Sequence, residues 1–217
     1  MIAEMRDRVS SSVTAILERS AELGFLGTMP LSEQIDHSLG FVFATESALE
    51  QPPRTVLDLG TGGGVPGLVL LSCWPESHVV LLDANQRRTE FLSGETAGWR
   101  GPGGVEVVRG RAEEMGRSTR YRGQLDLVTS RSFGSPAVAA ECGAPFLVRG
   151  GLMVISEPPD GVGDNRWPVE GLAELGLEVA SPVRFDHRFG FQVLRKSAQT
   201  PDRYPRRVGV PAKRPLF

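Results

Sequence analysis

Residues 55–67 read Thr-Val-Leu-Asp-Leu-Gly-Thr-Gly-Gly-Gly-Val-Pro-Gly. The apolar run Thr55 to Leu59 has the composition of a buried parallel strand. Glycines follow where a side chain would keep a ligand from the backbone. The chain then enters Pro66-Gly67-Leu68-Val69-Leu70-Leu71-Ser72, with proline suited to a first helical turn. Strand, glycine loop and helix form the opening unit of a fold that wraps backbone amides around a nucleotide-like ligand. A tight strand-to-helix turn without a ligand is the plainer alternative.

The rest of the chain extends this unit. Before it, Ile2, Met5, Val9, Val13, Ile16 and Leu17 mark one face of a helix from Ile2 to Leu23, which Gly24 ends. A second helix is expected from Leu31 to about Leu49, with Ile35, Leu39, Val42 and Phe43 inward. Gln51-Pro52-Pro53 marks a boundary. Beyond it, strands and helices alternate: His78 to Leu82 ending at Asp83, a helix through Arg87 to Leu92, Val105 to Val108, Leu125 to Thr129, a helix from Pro136 to Leu147, and Leu152 to Ile155. That alternation predicts a doubly wound parallel sheet. A Pro/Gly-rich loop from Pro158 to Gly163 leads to a short helix around Val169 to Leu175. Leu177 to Phe185 and Arg188 to Leu194 flank Asp186-His187 as an antiparallel hairpin. The divisions expected are a helical cap over 1–50, a sheet domain over 54–197 and a basic tail over 198–217.

Composition removes several classes. With 40% hydrophobic and 23% charged residues, the chain of 217 residues can bury a core. Its net charge of −2 points to neither nucleic acid nor membrane. Cys73 and Cys142 have no Cys-x-x-Cys or histidine partner, so they are expected to be buried thiols, with no metal site. The apolar runs are too short to span a bilayer and the N-terminus lacks a signal peptide's apolar core, which predicts a cytoplasmic chain.

Two acids narrow the ligand. Gly62, Gly64 and Gly67 fit a dinucleotide spacing, whereas Asp58, Gly60, Gly62 and Gly64 fit the D-x-G-x-G-x-G of class I methyltransferases. Asp83 ends the second strand 25 residues after Asp58, where a carboxylate can accept hydrogen bonds from a ribose diol. The alternative for Asp83 is a helix N-cap. A dinucleotide loop carries an apolar residue at the position of Asp58. An acid there suits a ligand with a sulfonium and an ammonium, so S-adenosylmethionine is favoured over NAD. The expected fold is therefore α/β: a Rossmann-like class I methyltransferase with a mostly parallel sheet, an antiparallel last strand and an N-terminal helical cap.

On these residues the chain resembles the bacterial 16S ribosomal RNA (guanine-N7) methyltransferase G family, also called glucose-inhibited division protein B. The matching segments are Leu57 to Gly67, Leu81-Leu82-Asp83 with Arg87-Arg88 and Phe91-Leu92, Gly110-Arg111-Ala112-Glu113-Glu114, and Val128-Thr129-Ser130-Arg131-Ser132-Phe133. The tail matches through Arg195-Lys196, Thr200 to Arg207 and Gly209 to Leu216. The resemblance covers roughly residues 54–217. It implies cofactor contacts at Gly60, Val65, Ala112, Glu113 and Arg131, with Asp83 on the ribose. Asp58 and Gly62 join that set through the loop pattern. Arg131 is placed to hold a cofactor carboxylate or an RNA phosphate, with a surface salt bridge as its alternative.

The implied reaction needs little acid–base machinery. Guanine N7 has a lone pair and no proton, so alignment of N7, methyl carbon and sulfur suffices. His37, His78 and His187 need no catalytic role. Between Arg195 and Phe217 stand seven cations, Arg195, Lys196, Arg203, Arg206, Arg207, Lys213 and Arg214, against Asp202 alone. Such a stretch can neutralise phosphates of ribosomal RNA or of the small subunit; a solvated extension is the alternative. Its four prolines predict extended, non-helical chain.

The family pattern Arg-His-Leu-Leu-Asp-Ser-Leu is here Glu33-Gln34-Ile35-Asp36-His37-Ser38-Leu39, and a Lys-Gly after the fifth strand is Glu157-Pro158. Extra acid near an RNA cleft weakens phosphate binding. Two other readings therefore stay open: a methyltransferase of this fold with another RNA or a small molecule as substrate, and a non-catalytic RNA- or partner-binding relative.

Overall fold

Both faces of the sheet are buried, and the strand sequences show why. In the computed structural model, which describes residues 2–158 and 166–217, β1 (Thr55–Leu59) sends Val56 into one apolar cluster and Leu57 and Leu59 into the other. β2 (His78–Asp83) splits Val79 and Leu81 from Val80 and Leu82 in the same way. A strand covered on both sides is a continuous apolar run rather than an alternating one.

Among the described residues the sheet has seven strands. β1 and β2 are followed by β3 (Val105–Arg109), β4 (Leu125–Ser130), β5 (Leu147–Glu157), β6 (Leu177–Phe185) and β7 (Phe189–Lys196). The order is β3-β2-β1-β4-β5-β7-β6. β1 to β5 pair in parallel, while β7 is antiparallel to both β5 and β6. The order reverses between β1 and β4, so the crevice for a ligand opens at the carboxyl ends of those strands. The expected α/β sheet with its antiparallel end is the observed one.

One face carries α1 (Ile2–Arg6), α2 (Ser11–Glu22), α3 (Leu31–Glu46), α4 (Gly67–Cys73) and α5 (Gln86–Thr96). α3 lies directly on the sheet. A Cβ on Gly40 would run into the rings of Phe191 and Phe185, so glycine sets the closeness of that approach. The other face carries α6 (Ala112–Met115), α7 (Pro136–Gly143), α8 (Val169–Ala173) and the residues after β7.

Four expectations are corrected. The first helix is broken at residues 7–10, because the Ser10 side chain caps α2 by accepting from the Val13 amide, and the Ser10 amide donates to Ser72 Oγ at 2.8 Å. α7 gives way to a 3₁₀ turn (Ala144–Phe146), and β5 begins at Leu147 rather than Leu152. Its early residues pair with β4 across a register shift, a bulge that takes up Arg149 to Gly151. The tail is not wholly extended: α9 (Val210–Lys213) forms one turn with Pro211 near its start. The loop expected from Pro158 to Gly163 lies, beyond Pro158, outside the described residues. Both cysteines are buried free thiols. Among the described residues no helix is long and apolar enough to cross a membrane.

Candidate functional site

The glycine loop is held from two sides by carboxylates. Asp83 Oδ2 accepts from the Gly62 amide at 2.9 Å, and Asp83 Oδ1 accepts from the Asn85 amide at 2.7 Å. Asp58 Oδ2 accepts from the Gly67 amide at 2.8 Å, at the start of α4, and Oδ1 accepts from Thr129 Oγ1 at 3.1 Å. The amides of Gly60 and Thr61 donate to Leu82 O at 2.9 and 3.0 Å. Two positions demand glycine. Gly60 has φ +75° and faces the Phe133 ring, whose Cδ2 lies 2.6 Å from where a Cβ would stand. Gly63 meets α2, where Ser20 Oγ donates to Gly63 O at 2.8 Å and the Phe25 carbonyl would lie 2.9 Å from a Cβ.

Beside this loop is a cavity of about 280 Å³, lined by Gly60, Asp83, Arg88, Ala112, Glu113 and Phe133, among others. Thus Gly60, Asp83, Ala112 and Glu113 are brought together as the sequence suggested. Gly62 stands behind Asp83. Val65 instead packs into the core beneath the loop and does not line the cavity. Asp58, expected near the ligand, lies under the loop at 1% exposure with its oxygens taken by Gly67 and Thr129. Burial pushes its carboxyl up to about 6, against the pull of the Gly67 amide and the Thr129 hydroxyl. Its part is to hold the loop.

Glu113 is 5% exposed and accepts from the Gly209 amide at 2.9 Å. Burial raises its pKa, but the Gly209 amide, its own amide and Arg111 outweigh burial and leave it lowered. The tail thereby reaches the cavity, and Ala212 of α9 forms part of its wall. An ion pair anchors that wall. Glu141 on α7 is fully buried, and its carboxylate accepts from Arg206 N at 2.8 Å, Nε at 2.9 Å and Nη2 at 2.6 Å.

The seven tail cations part company here. Lys196 is 3% exposed; its ammonium donates to Ala144 O, Leu175 O and Thr200 Oγ1, and burial together with Arg122 lowers its pKa to about 7. It is a structural peg, not a surface cation. Arg195 pairs opposite Leu152 and donates to Gly150 O at 3.3 Å, away from the end of β5 where Glu157 stands. Arg206 is committed to Glu141. Arg203 lies over the Tyr204 ring at 4.9 Å. Arg207, Lys213 and Arg214 are exposed, the last two beside Ala212.

Beyond β4, Arg131 Nη2 donates to Gln34 Oε1 at 3.1 Å, while Arg131 Nη1 is buried with no partner. Burial lowers the Arg131 pKa and Asp58 opposes that. Gln34, read as a departure that weakens anion binding, is the residue that aims the arginine; its amide nitrogen donates to Gly27 O and Met29 O. Glu157 is likewise neutralised locally, accepting from Arg166 Nε at 2.7 Å and Trp167 Nε1 at 3.2 Å. Ser132 has φ 53°, a left-handed conformation for a residue with a side chain, at the point where Arg131 and Phe133 diverge. Phe133, Arg88, Gln34 and Ala212 were not named as site residues, although Phe133, Arg88 and Ala212 lie in the matching segments Val128–Phe133, Arg87-Arg88 and Gly209–Leu216.

The donor set suits a nucleoside with an anionic extension. Asp83 presents acceptors at the cavity beside the loop, and Arg131, which lines the adjoining one, presents an unused buried donor. A zwitterionic nucleoside such as S-adenosylmethionine fits these groups.

Comparison with known proteins identifies the family and the fold. The model of the rRNA small subunit methyltransferase G family matches residues 16–157. The protein named Ribosomal RNA small subunit methyltransferase G of Moorella thermoacetica is 37% identical over 175 residues, 78% of this chain and 72% of that one. Its namesake in Symbiobacterium thermophilum is 36% identical over 199 residues, 87% of this chain and 80% of that one. The fold is similar to an O-methyltransferase from Bacillus cereus in complex with SAH, with a TM-score of 0.59 at 15% identity, covering 86% of this chain and 91% of that one. It is also similar to Aeropyrum pernix fibrillarin with natively bound S-adenosyl-L-methionine, with a TM-score of 0.53 at 17% identity, covering 71% and 73%.

Two stability outcomes follow from the acids beneath the site. The Asp58 pKa of about 6 lies above its ordinary 3.8, so its contribution to stability is full below about pH 4 and is lost as pH rises through 6. Urea titrations of wild type and Asp58→Asn should therefore show the wild type losing about 3 kcal/mol relative to the variant between pH 4 and 7; a constant offset would contradict the assignment. Arg206→Ala, which strands the buried Glu141 carboxylate, should cost about 3 kcal/mol in the same titration at pH 7. Arg206→Lys should restore only part of it, since an ammonium cannot reproduce the fork.

Proposed function

The chain belongs to the rRNA small subunit methyltransferase G family, and we propose that it transfers the methyl group of S-adenosylmethionine to N7 of a guanine in 16S ribosomal RNA, in the cytoplasm. The observation that carries the reading is the glycine loop tied to Asp83 and Asp58 beside a cavity lined by Gly60, Asp83, Ala112 and Glu113, with the unpartnered Nη1 of Arg131 at the adjoining cavity. In this reading Asp83 meets the ribose hydroxyls, Ala112 and Glu113 flank the adenine, and the Gly60–Gly62 backbone lies along the ligand. Val65 fixes the turn from beneath, and Arg131 takes the methionyl carboxylate. The bound cofactor supplies an electrophilic methyl on a sulfonium.

The protein's own part is alignment. Guanine N7 carries a lone pair, so no side chain has to remove a proton before attack. Holding nucleophile and methyl at near-attack distance can account for about 7–11 kcal/mol of a barrier. Gln34 fixes Arg131, and Phe133 over Gly60 walls the reacting region from solvent. Arg207, Lys213 and Arg214, exposed beside the tail wall, are the cations best placed to meet RNA phosphates; Arg203 is a further exposed one. Lys196 and Arg206 serve the tail's attachment instead, and Arg195 donates to Gly150 O on β5.

Incubation with S-adenosylmethionine and small ribosomal subunits from cells lacking this enzyme, followed by nuclease mapping and mass spectrometry, tests the proposal. A single new 7-methylguanosine in 16S ribosomal RNA is expected. Asp83→Ala should raise the KM for S-adenosylmethionine at least tenfold, since it removes both the ribose acceptor and the loop tie. Methylation of another nucleic acid or of a small molecule alone would overturn the substrate assignment.

A further inference from the structure

A second cavity, of about 320 Å³, adjoins the first and shares Ser132 and Phe133 with it. It lies between α3 and the carboxyl ends of β4 and β5, and its lining includes His37, Ser130, Arg131, Ser156 and Glu157. Two of these side chains are more than nine-tenths buried and hold a polar atom without a partner: His37 Nδ1, at 8% residue exposure, and Ser130 Oγ, at 1%. Buried polar atoms are nearly always hydrogen-bonded, so two without a partner on residues lining one cavity point to a ligand that pairs them.

We propose that this second cavity receives the target purine, and that His37, Ser130 and Glu157 read it as guanine. The proposal rests on the methyltransferase reading above and names the acceptor subsite of that site. A guanine extruded from RNA presents O6 as an acceptor and N1–H and N2–H as donors. Ser130 Oγ and the His37 ring supply a donor for O6. The Glu157 carboxylate supplies acceptors for N1–H and N2–H. Adenine presents a bare N1 where guanine has N1–H, so it sets acceptor against acceptor at the Glu157 carboxylate, while the Ser130 hydroxyl and neutral His37 can turn to either partner.

His37 is suited to a fixed role. It sits among the rings of Phe41, Phe189 and Phe191, with centroids 5.0–5.6 Å away. Burial and the nearby Arg131 lower its pKa to about 3, so it stays neutral and does not repel the approaching methyl donor. Glu157 is held in place by Arg166 and Trp167. Arg166 and Trp167 occupy part of the Glu157 carboxylate's acceptor capacity, and its remaining lone pairs accept from N1–H and N2–H. The acid that departs from the family pattern thus gains a use in the reaction.

His37→Phe keeps a flat ring among the three phenylalanines, and Glu157→Gln keeps the shape and one of the two oxygens that accept from Arg166 Nε and Trp167 Nε1. Methyl transfer to unmodified small subunits should fall at least tenfold in kcat/KM for RNA in both variants, with the S-adenosylmethionine Kd within twofold of wild type. Saturation-transfer NMR on SAH-loaded protein should show guanosine, but not adenosine, contacting wild type, and weaker contact in each variant. Transfer within threefold of wild type in both variants would overturn the proposal. So would a parallel rise in the S-adenosylmethionine Kd, which would assign the cavity to the cofactor. If wild type methylates no ribosomal RNA yet its SAH-loaded form binds guanosine through His37 and Glu157, the substrate reading falls and the purine subsite stands.

Discussion

Everything at the ligand edge depends on tying a glycine loop down without putting side chains in its way. The loop has amides to offer a ligand but little of its own to hold it still. Asp83 and Asp58 supply the ties, one to the Gly62 amide and one to the Gly67 amide at the start of α4. The two differ in setting. Asp83 lies at the cavity and keeps lone pairs for a second partner, whereas Asp58 is sealed beneath the loop and held above its ordinary pKa by burial. A carboxylate in the interior is expensive unless hydrogen-bonded, and here it has an amide and a hydroxyl.

The elements outside the sheet complete the walls. α3 brings Gln34 to Arg131 from one side, and the residues after β7 bring Gly209 to Glu113 from the other. Neither wall is built on local contacts. The tail is fixed by Arg206 on Glu141, by Lys196 against three oxygens, and by Arg122, which donates to the carbonyls of Gly116, Thr200, Pro201 and Tyr204. Lys196 and Arg206 hold structure, while Arg203, Arg207, Lys213 and Arg214 are exposed.

What was legible in the sequence is what local pattern dictates. β1, the loop and α4 announce themselves through an apolar run, glycines and a proline, and β2 ends visibly at Asp83. The hairpin of β6 and β7 could be read from two strand-like runs around Asp186-His187. What was hidden depends on distant partners. The break after α1 needs Ser72, 62 positions beyond Ser10. The role of Arg206 needs Glu141, 65 positions away. Gln34 and His37 looked like departures or bystanders because only the packing of α3 on the sheet carries them to the ends of β4 and β5. Asp58 reads in the sequence as a cofactor contact, but its depth, and so its part in holding the loop, depends on how α4 folds back over β1.

In the proposed reading the tied loop and the buried Arg131 bind S-adenosylmethionine. Isothermal titration calorimetry of the whole chain with S-adenosylmethionine, with NAD as the competing ligand, addresses it most directly. The account predicts saturable one-to-one binding of S-adenosylmethionine and none of NAD. Saturable binding of NAD, or no heat with S-adenosylmethionine at millimolar concentration, would contradict it.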